Sequence, residues 1–87
     1  MTTLSIIVPL YNKEKGISKT LDLIVEKCRN KNITYEIIVI ENESTDNSYS
    51  VTQNYIKNTK NISLHKSKKG LGNALKKGIS IANYDFI

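Results

Sequence analysis

Four consecutive residues, Ile37-Ile38-Val39-Ile40, are all apolar and all β-branched. Strict alternation would mark a strand with one wet face, whereas an uninterrupted run marks a strand covered on both faces, as in a parallel sheet packed between helices. Residues 35–40 are therefore predicted to form a central strand. Leu4-Ser5-Ile6-Ile7-Val8 reads the same way, and Pro9, which has no N–H to give a ladder, is expected to close that strand. Between the two, Ile17, Leu21, Ile24, Val25 and Cys28 recur at helical spacing with charged residues between them, up to a stop at Asn30-Lys31-Asn32.

The alternation then repeats. Val51, Tyr55 and Ile56 supply the apolar face of a second helix, and Ile62-Ser63-Leu64-His65 reads as a short, half-exposed strand with His65 as an exposed strand residue. A third helix is expected to bury Leu75, Ile79 and Ala82 while Lys76 and Lys77 face water. Asn83-Tyr84 leads into Asp85-Phe86-Ile87, the start of a fourth strand. The predicted fold class is α/β, a Rossmann-like βαβαβαβ open, mostly parallel sheet with flanking helices.

Eighty-seven residues make one small domain, 1–87, which should bury only about 60–65% of its unfolded surface. A 39% hydrophobic content with four glycines and one proline excludes a disordered linker. The lone Cys28 has no partner for a disulfide and falls on an apolar helical position, so it is expected to pack as a small hydrophobe in a reducing, cytoplasmic setting. The apolar stretch of residues 4–10 is far shorter than the roughly 20 residues of a membrane span, and no signal peptide is read. Because the sequence stops inside an apolar strand, a partial chain is expected.

Charge is distributed unevenly. Residues 1–46 carry six basic and seven acidic side chains, and residues 47–87 carry seven basic and one acidic. No carboxylate lies between Asp46 and Asp85, which suits contact with phosphates, nucleic acid or an anionic membrane and equally suits a solvated basic face. In an open parallel sheet, ligands bind outside the carboxyl ends of the strands. Three loops should gather there: residues 9–14, 41–46 and 66–72. The second is rich in groups that bond a base or ribose, and the third combines lysines with a helix N-terminus suited to phosphates. Asn12 and Asp46 also stand where helix caps would.

Several motifs are absent. Leu75 replaces the third glycine of a dinucleotide fingerprint begun by Gly70-Leu71-Gly72, no Gly-x-x-x-x-Gly-Lys-Ser/Thr run exists, and no Cys/His cluster has zinc-ligand spacing. Tyr49, Tyr55 and Tyr84 are scattered and form no stacking platform, so a nucleic-acid partner is not expected. A non-catalytic basic module that binds phosphate or nucleic acid is the alternative class.

Taken together, Ser5-Ile6-Ile7-Val8-Pro9-Leu10-Tyr11-Asn12, Tyr35-Glu36-Ile37-Ile38-Val39-Ile40, Glu41-Asn42-Glu43-Ser44-Thr45-Asp46 and Gly70-Leu71-Gly72-Asn73-Ala74-Leu75-Lys76-Lys77-Gly78 resemble the opening of the family 2, GT-A-type glycosyltransferases. The Gly-Leu-Gly leans toward the polyprenyl-phosphate sugar transferases of that family. The resemblance implies the first, donor-nucleotide-binding half of a GT-A fold, lying before an Asp-x-Asp metal motif. It implies that Pro9, Tyr11 and Asn12 line a base pocket, that Glu41, Asn42 and Ser44 form the second contact loop, and that Lys69 and Gly70 lie near a diphosphate. Implied partners are a nucleoside diphosphate sugar of UDP or GDP type and a sugar or polyprenyl-phosphate acceptor. Implied too are inverting transfer in cell-envelope polysaccharide synthesis, a setting at the inner face of a membrane, and a divalent cation, Mg2+ or Mn2+, in the full-length enzyme only. No catalytic or metal-binding residue is expected within residues 1–87, and an exposed strand edge is expected to favour self-association.

Two departures from the family pattern matter. Glu41-Asn42-Glu43 stands where Asp-Asp-Gly is usual, which neutralises one acid and puts a side chain where glycine permits positive φ. Lys13 replaces a frequent glutamate.

Overall fold

The computed structural model describes residues 3–86 and gives the order β1 (Thr3–Leu10), α1 (Ile17–Asn30), β2 (Thr34–Glu41), α2 (Ser48–Ile56), β3 (Ile62–Lys66), α3 (Leu71–Ile81) and β4 (Asp85–Phe86). The sheet runs β3-β2-β1-β4 with every pairing parallel. The predicted last strand residue, Ile87, lies outside the described residues.

β2 is interior and explains its own sequence. Ile37 and Val39 point into a core with Leu10, Ile17 and Leu21, against which Val25, Val51 and Tyr55 pack, so α1 and α2 cover this face. Ile38 and Ile40 point the other way, into a second core with Ala74, Ile7, Ile81 and Ala82 under α3. All four side chains of the run are 0% exposed, which is the two-faced burial that its lack of alternation demanded. The thiol of Cys28 is buried in α1, and that burial pushes its pKa up.

Three expectations are corrected. β1 does not stop before Pro9 but continues through it, with Pro9 opposite Ile40 and Leu10 opposite Glu41. The Leu10 carbonyl accepts from the Asn42 amide on the β2 side, so the neighbouring residue, Pro9, has its nitrogen on the other side. Among the described residues β4 pairs on that side with Leu4 and Ser5, and none of them offers Pro9 a ladder partner there.

The second correction concerns α3. Its buried residues are Ala74 and Gly78, while Leu71, Leu75 and Ile79 are 62%, 40% and 46% exposed. The reason is proximity. A Cβ added to Gly78 would lie 2.5 Å from Ile7 Cγ2, so over Ile7 the helix sits so low on the sheet that only small residues fit beneath it. The third is His65, which is half-buried, with Nε2 2.9 Å from Ser63 Oγ. Burial, helped by Lys77, lowers its pKa.

β4 is held at the edge by Glu36, which reaches from β2 past β1. Its carboxylate accepts from the Ser5 hydroxyl, from the Asn83 amide at 2.7 Å and from Asn83 Nδ2 at 3.1 Å, and Ser5 Oγ accepts in turn from the Tyr84 amide at 3.0 Å. Burial raises the Glu36 pKa, but these hydrogen bonds outweigh it and leave the carboxyl below its ordinary value.

Candidate functional site

Because all strands are parallel, the loops that follow β1, β2 and β3 leave the same edge of the sheet. The first two are tied by side chains bonding backbone. Asn12 Oδ1 accepts from the amides of Thr45 at 2.8 Å and Asp46 at 3.3 Å and from Thr45 Oγ1 at 3.3 Å, while Ser44 Oγ accepts from the Asn12 amide at 3.0 Å. Ser48 Oγ accepts from the Lys13 amide at 2.6 Å, and Asp46 Oδ2 from the Glu14 amide at 3.2 Å. Asn12 has φ 49°, a left-handed conformation that asparagine tolerates better than most side chains.

Neither Asn12 nor Asp46 is an N-cap residue. α1 begins after Gly16 and α2 after Asn47, and neither makes a side-chain cap bond. Asp46 instead spans the gap, with Oδ1 accepting from the Ser48 amide at 2.9 Å and from its hydroxyl at 2.5 Å. Desolvation raises the Asp46 pKa, but the bonds from Ser48 and the Glu14 amide prevail and lower it. Asp46 thus stays anionic through the neutral range while joining both loops and the start of α2.

The second and third loops are tied as well. The Ser67 amide donates to the Glu41 carbonyl at 2.9 Å, Ser67 Oγ to Asn42 Oδ1 at 3.4 Å, and the Lys69 amide to Glu43 Oε2 at 3.3 Å. Lys69 also returns to the first loop, its Nζ 5.2 Å from the centre of the Tyr11 ring. Glu43 has φ 58°, as expected of a residue standing in a glycine position, and Gly70 turns the chain into α3 with φ 117°.

The residues singled out in the sequence are therefore neighbours, with different exposures. Tyr11, Asn12, Lys69 and Gly70 are exposed at the sheet edge. Glu41 and Asn42 are only 6% and 7% exposed; Glu41 Oε1 accepts from the Ser44 amide at 2.9 Å, so it shapes the loop from beneath. Pro9 sits half-buried inside β1, two residues short of the loop. Ser48 and Ser67 were not singled out, although both contribute to the knot. The Asp46-Asn47-Ser48 spacing was a usable signal for the first, because aspartate side chains commonly bond an amide two residues on.

Two clefts open beside the knot. One, of 410 Å³, runs from Asn12 to Gly16 against Asp46, and the other, of 440 Å³, is lined by Lys66, Lys68, Lys76 and Lys77 with Ser67 and Asn73. A larger cleft of 740 Å³ lies between α1, α2 and the start of β2, bounded by Asp22, Arg29, Tyr35 and Tyr55. Size alone favours that cleft. It sits at the amino ends of the strands, however, whereas the convergent amides, carboxylates and lysines are at the carboxyl ends, where open α/β sheets bind ligands. Among the described residues no group of three or more His, Cys, Asp or Glu side chains is arranged to hold a metal ion, and no helix is long and apolar enough to cross a membrane.

The chain is similar to known proteins in sequence and in fold. The chain is 35% identical over 85 residues to a dolichyl-phosphate beta-glucosyltransferase of Dictyostelium discoideum, an overlap of 87% of this chain and 26% of that protein. It is 39% identical over 59 residues to a poly(ribitol-phosphate) beta-glucosyltransferase of Bacillus spizizenii, covering 68% of this chain and 9% of the relative. In three dimensions it resembles the mannosyltransferase PcManGT of Pyrobaculum calidifontis, solved in complex with GDP-Man and Mn2+, with a TM-score of 0.72 and 27% identity over 92% of this chain and 24% of that one. The chain thus spans about a quarter or less of each of these proteins. Residues 5–87 match the description Glycosyl transferase family 2, and with the parallel βαβ sheet and the three linked loops already in place, the chain belongs to that family.

Proposed function

We propose that this chain is the donor-nucleotide-binding part of a glycosyltransferase that moves a sugar, with inversion, from a nucleoside diphosphate to an acceptor hydroxyl or polyprenyl phosphate. The observation that carries the reading is the knot of Asn12, Glu43, Ser44, Asp46 and Lys69, which fixes three loops at one sheet edge. In it Pro9, Tyr11 and Asn12 form one wall of a base pocket, and Asn42 offers an amide in place of a carboxylate to a base N–H. Lys69 and the turn at Gly70 face the diphosphate, where lysines and free backbone amides stabilise negative charge. Glu41 and Ser44 hold the second loop in shape.

Support for the donor class comes from the GDP-Man in the Pyrobaculum structure, and support for a lipid-phosphate acceptor from the name of the Dictyostelium relative. The lipid-phosphate reading places the acceptor at a membrane surface. The same Pyrobaculum complex contains Mn2+, but the described residues present no fitting ligand set. We therefore assign no metal-dependent step to the described residues.

The test is an amide-resolved titration with UDP, GDP and their sugars. Shifts concentrated in residues 9–14, 41–46 and 68–72 are expected. Unchanged spectra at millimolar ligand for every nucleotide would refute the reading. Steeply salt-dependent affinity for RNA without any nucleotide response would replace it with a basic phosphate-binding module.

A further inference from the structure

Glu43 stands in a backbone conformation that suits glycine better. It is exposed, and it holds φ 58°, a region that disfavours a long side chain. Its carboxylate accepts a long hydrogen bond, 3.3 Å, from the amide of Lys69. That amide immediately precedes Gly70, whose φ of 117° turns the chain into α3. The surroundings are cationic: Lys66, Lys68, Lys76 and Lys77 line the adjoining cleft, and the sequence carries no carboxylate from Asn47 to Tyr84. An anion is thus held at the entrance of a helix, in a field that attracts anions, by a residue whose own backbone would be easier with glycine.

We propose that the Glu43 carboxylate is a resident anion that competes with the phosphates of the ligand for the Lys69 loop, and so sets how tightly this site takes a diphosphate. The inference rests on the nucleotide reading of the three loops. With the Lys69 amide occupied by Glu43, the Lys69 ammonium lies over the Tyr11 ring at 5.2 Å, closing the loops on one another. A diphosphate drawn to Lys69 displaces the carboxylate and lifts the ammonium off Tyr11. Charge repulsion between Glu43 and the incoming phosphates opposes that exchange, whereas an uncharged ligand is unaffected. The site is thereby tuned toward weak, rapidly exchanging diphosphate binding.

The experiment titrates the wild-type chain and Glu43→Gln with inorganic pyrophosphate, UDP, GDP, uridine and guanosine, following backbone amides. Glu43→Gln keeps the side-chain shape and the backbone conformation and removes only the charge. Pyrophosphate and both diphosphates are expected to bind the variant about tenfold more tightly, equivalent to about 1.4 kcal/mol, with the nucleosides changed less than about twofold. Equal or weaker binding of pyrophosphate and diphosphates by Glu43→Gln overturns the proposal. A gain for pyrophosphate with no nucleotide response leaves the role of Glu43 standing and removes the nucleotide reading. Nucleotides that bind both chains equally do the reverse, and a failure of every ligand with both chains removes both. Glu43→Gly is the second variant: it relieves the backbone as well as the charge, and should show the same or a larger gain.

Discussion

Replacing Gly78 with alanine sets two well-understood effects against each other. In a helix interior, glycine to alanine stabilises by about 1 kcal/mol, since alanine restricts the unfolded chain and suits helical φ and ψ. At this position the new Cβ would lie 2.5 Å from Ile7 Cγ2 and 3.0 Å from Ile7 Cγ1 and Cδ1. Carbon atoms attract best at about 3.5–4.0 Å, so the nearest contact is roughly 1 Å too close. Cγ2 hangs directly from a β-branched carbon with a stiff χ1 and has little room to swing aside. Overpacking of this kind costs about 1–3 kcal/mol. A contact of 2.5 Å to a stiff branch places the cost in the upper part of that range, about 2–3 kcal/mol, so the clash wins and Gly78→Ala should destabilise the chain by about 1–2 kcal/mol net, lowering the melting temperature by about 5–15 °C for a domain of this size. Thermal and urea unfolding followed by far-ultraviolet circular dichroism measure this directly. Ile7→Ala in the same background should recover at least about 1 kcal/mol of the loss in a double-mutant cycle. A Gly78→Ala chain that melts higher than wild type would show that helix propensity prevails and that α3 does not sit as low on the sheet as described.

Three further outcomes are expected. Asn12→Ala removes the acceptor for three donors and leaves alanine at positive φ, a loss of about 2–3 kcal/mol, whereas Asn12→Gly loses only the bonds, about 1–2 kcal/mol; equal melting temperatures for the two variants would contradict the conformational part. Thr52→Val removes a buried hydroxyl with no hydrogen-bond partner among the described residues and should raise stability by up to about 1 kcal/mol in urea unfolding, and a clear loss would mean that Oγ1 has a partner. Glu36 has its native pKa below the ordinary value of 4.5, so its contribution is complete above that value and is lost as pH falls through the depressed native pKa. In an acid titration the Asn83 and Tyr84 amides should shift together over that window, and Glu36→Gln should abolish the shared transition.

Much of the fold was legible because β2 has no polar residue between Ile37 and Ile40, and because α1 keeps its helical period from Ile17 to Cys28. The errors share a cause: each position was decided by what lies beside it in space. α3 offered Leu75 and Ile79 as the better apolar residues, but the volume available above Ile7 selected Ala74 and Gly78. Pro9 looks like a terminator until the Leu10 carbonyl is seen to accept on the β2 side, which turns the Pro9 nitrogen away from that ladder. At the site, residue types and loop positions were readable, as was the positive φ at Glu43. That Asn12 would hold Thr45 and Asp46 was not, since a side-chain acceptor carries no mark of which distant amide it will meet.

Among the described residues the sheet has no hairpin, and that governs how the site is born. Each pairing skips at least one helix, and the β4 edge joins Leu4 to Asp85, nearly the two ends of the chain. Contacts of such long sequence separation make folding slow, because loop closure must be completed before any of them is rewarded. During synthesis, β1, α1 and β2 can assemble while the lysine-rich stretch is still emerging. The first two loops can then be knotted through Asn12 before Lys69 and α3 arrive to complete the rim.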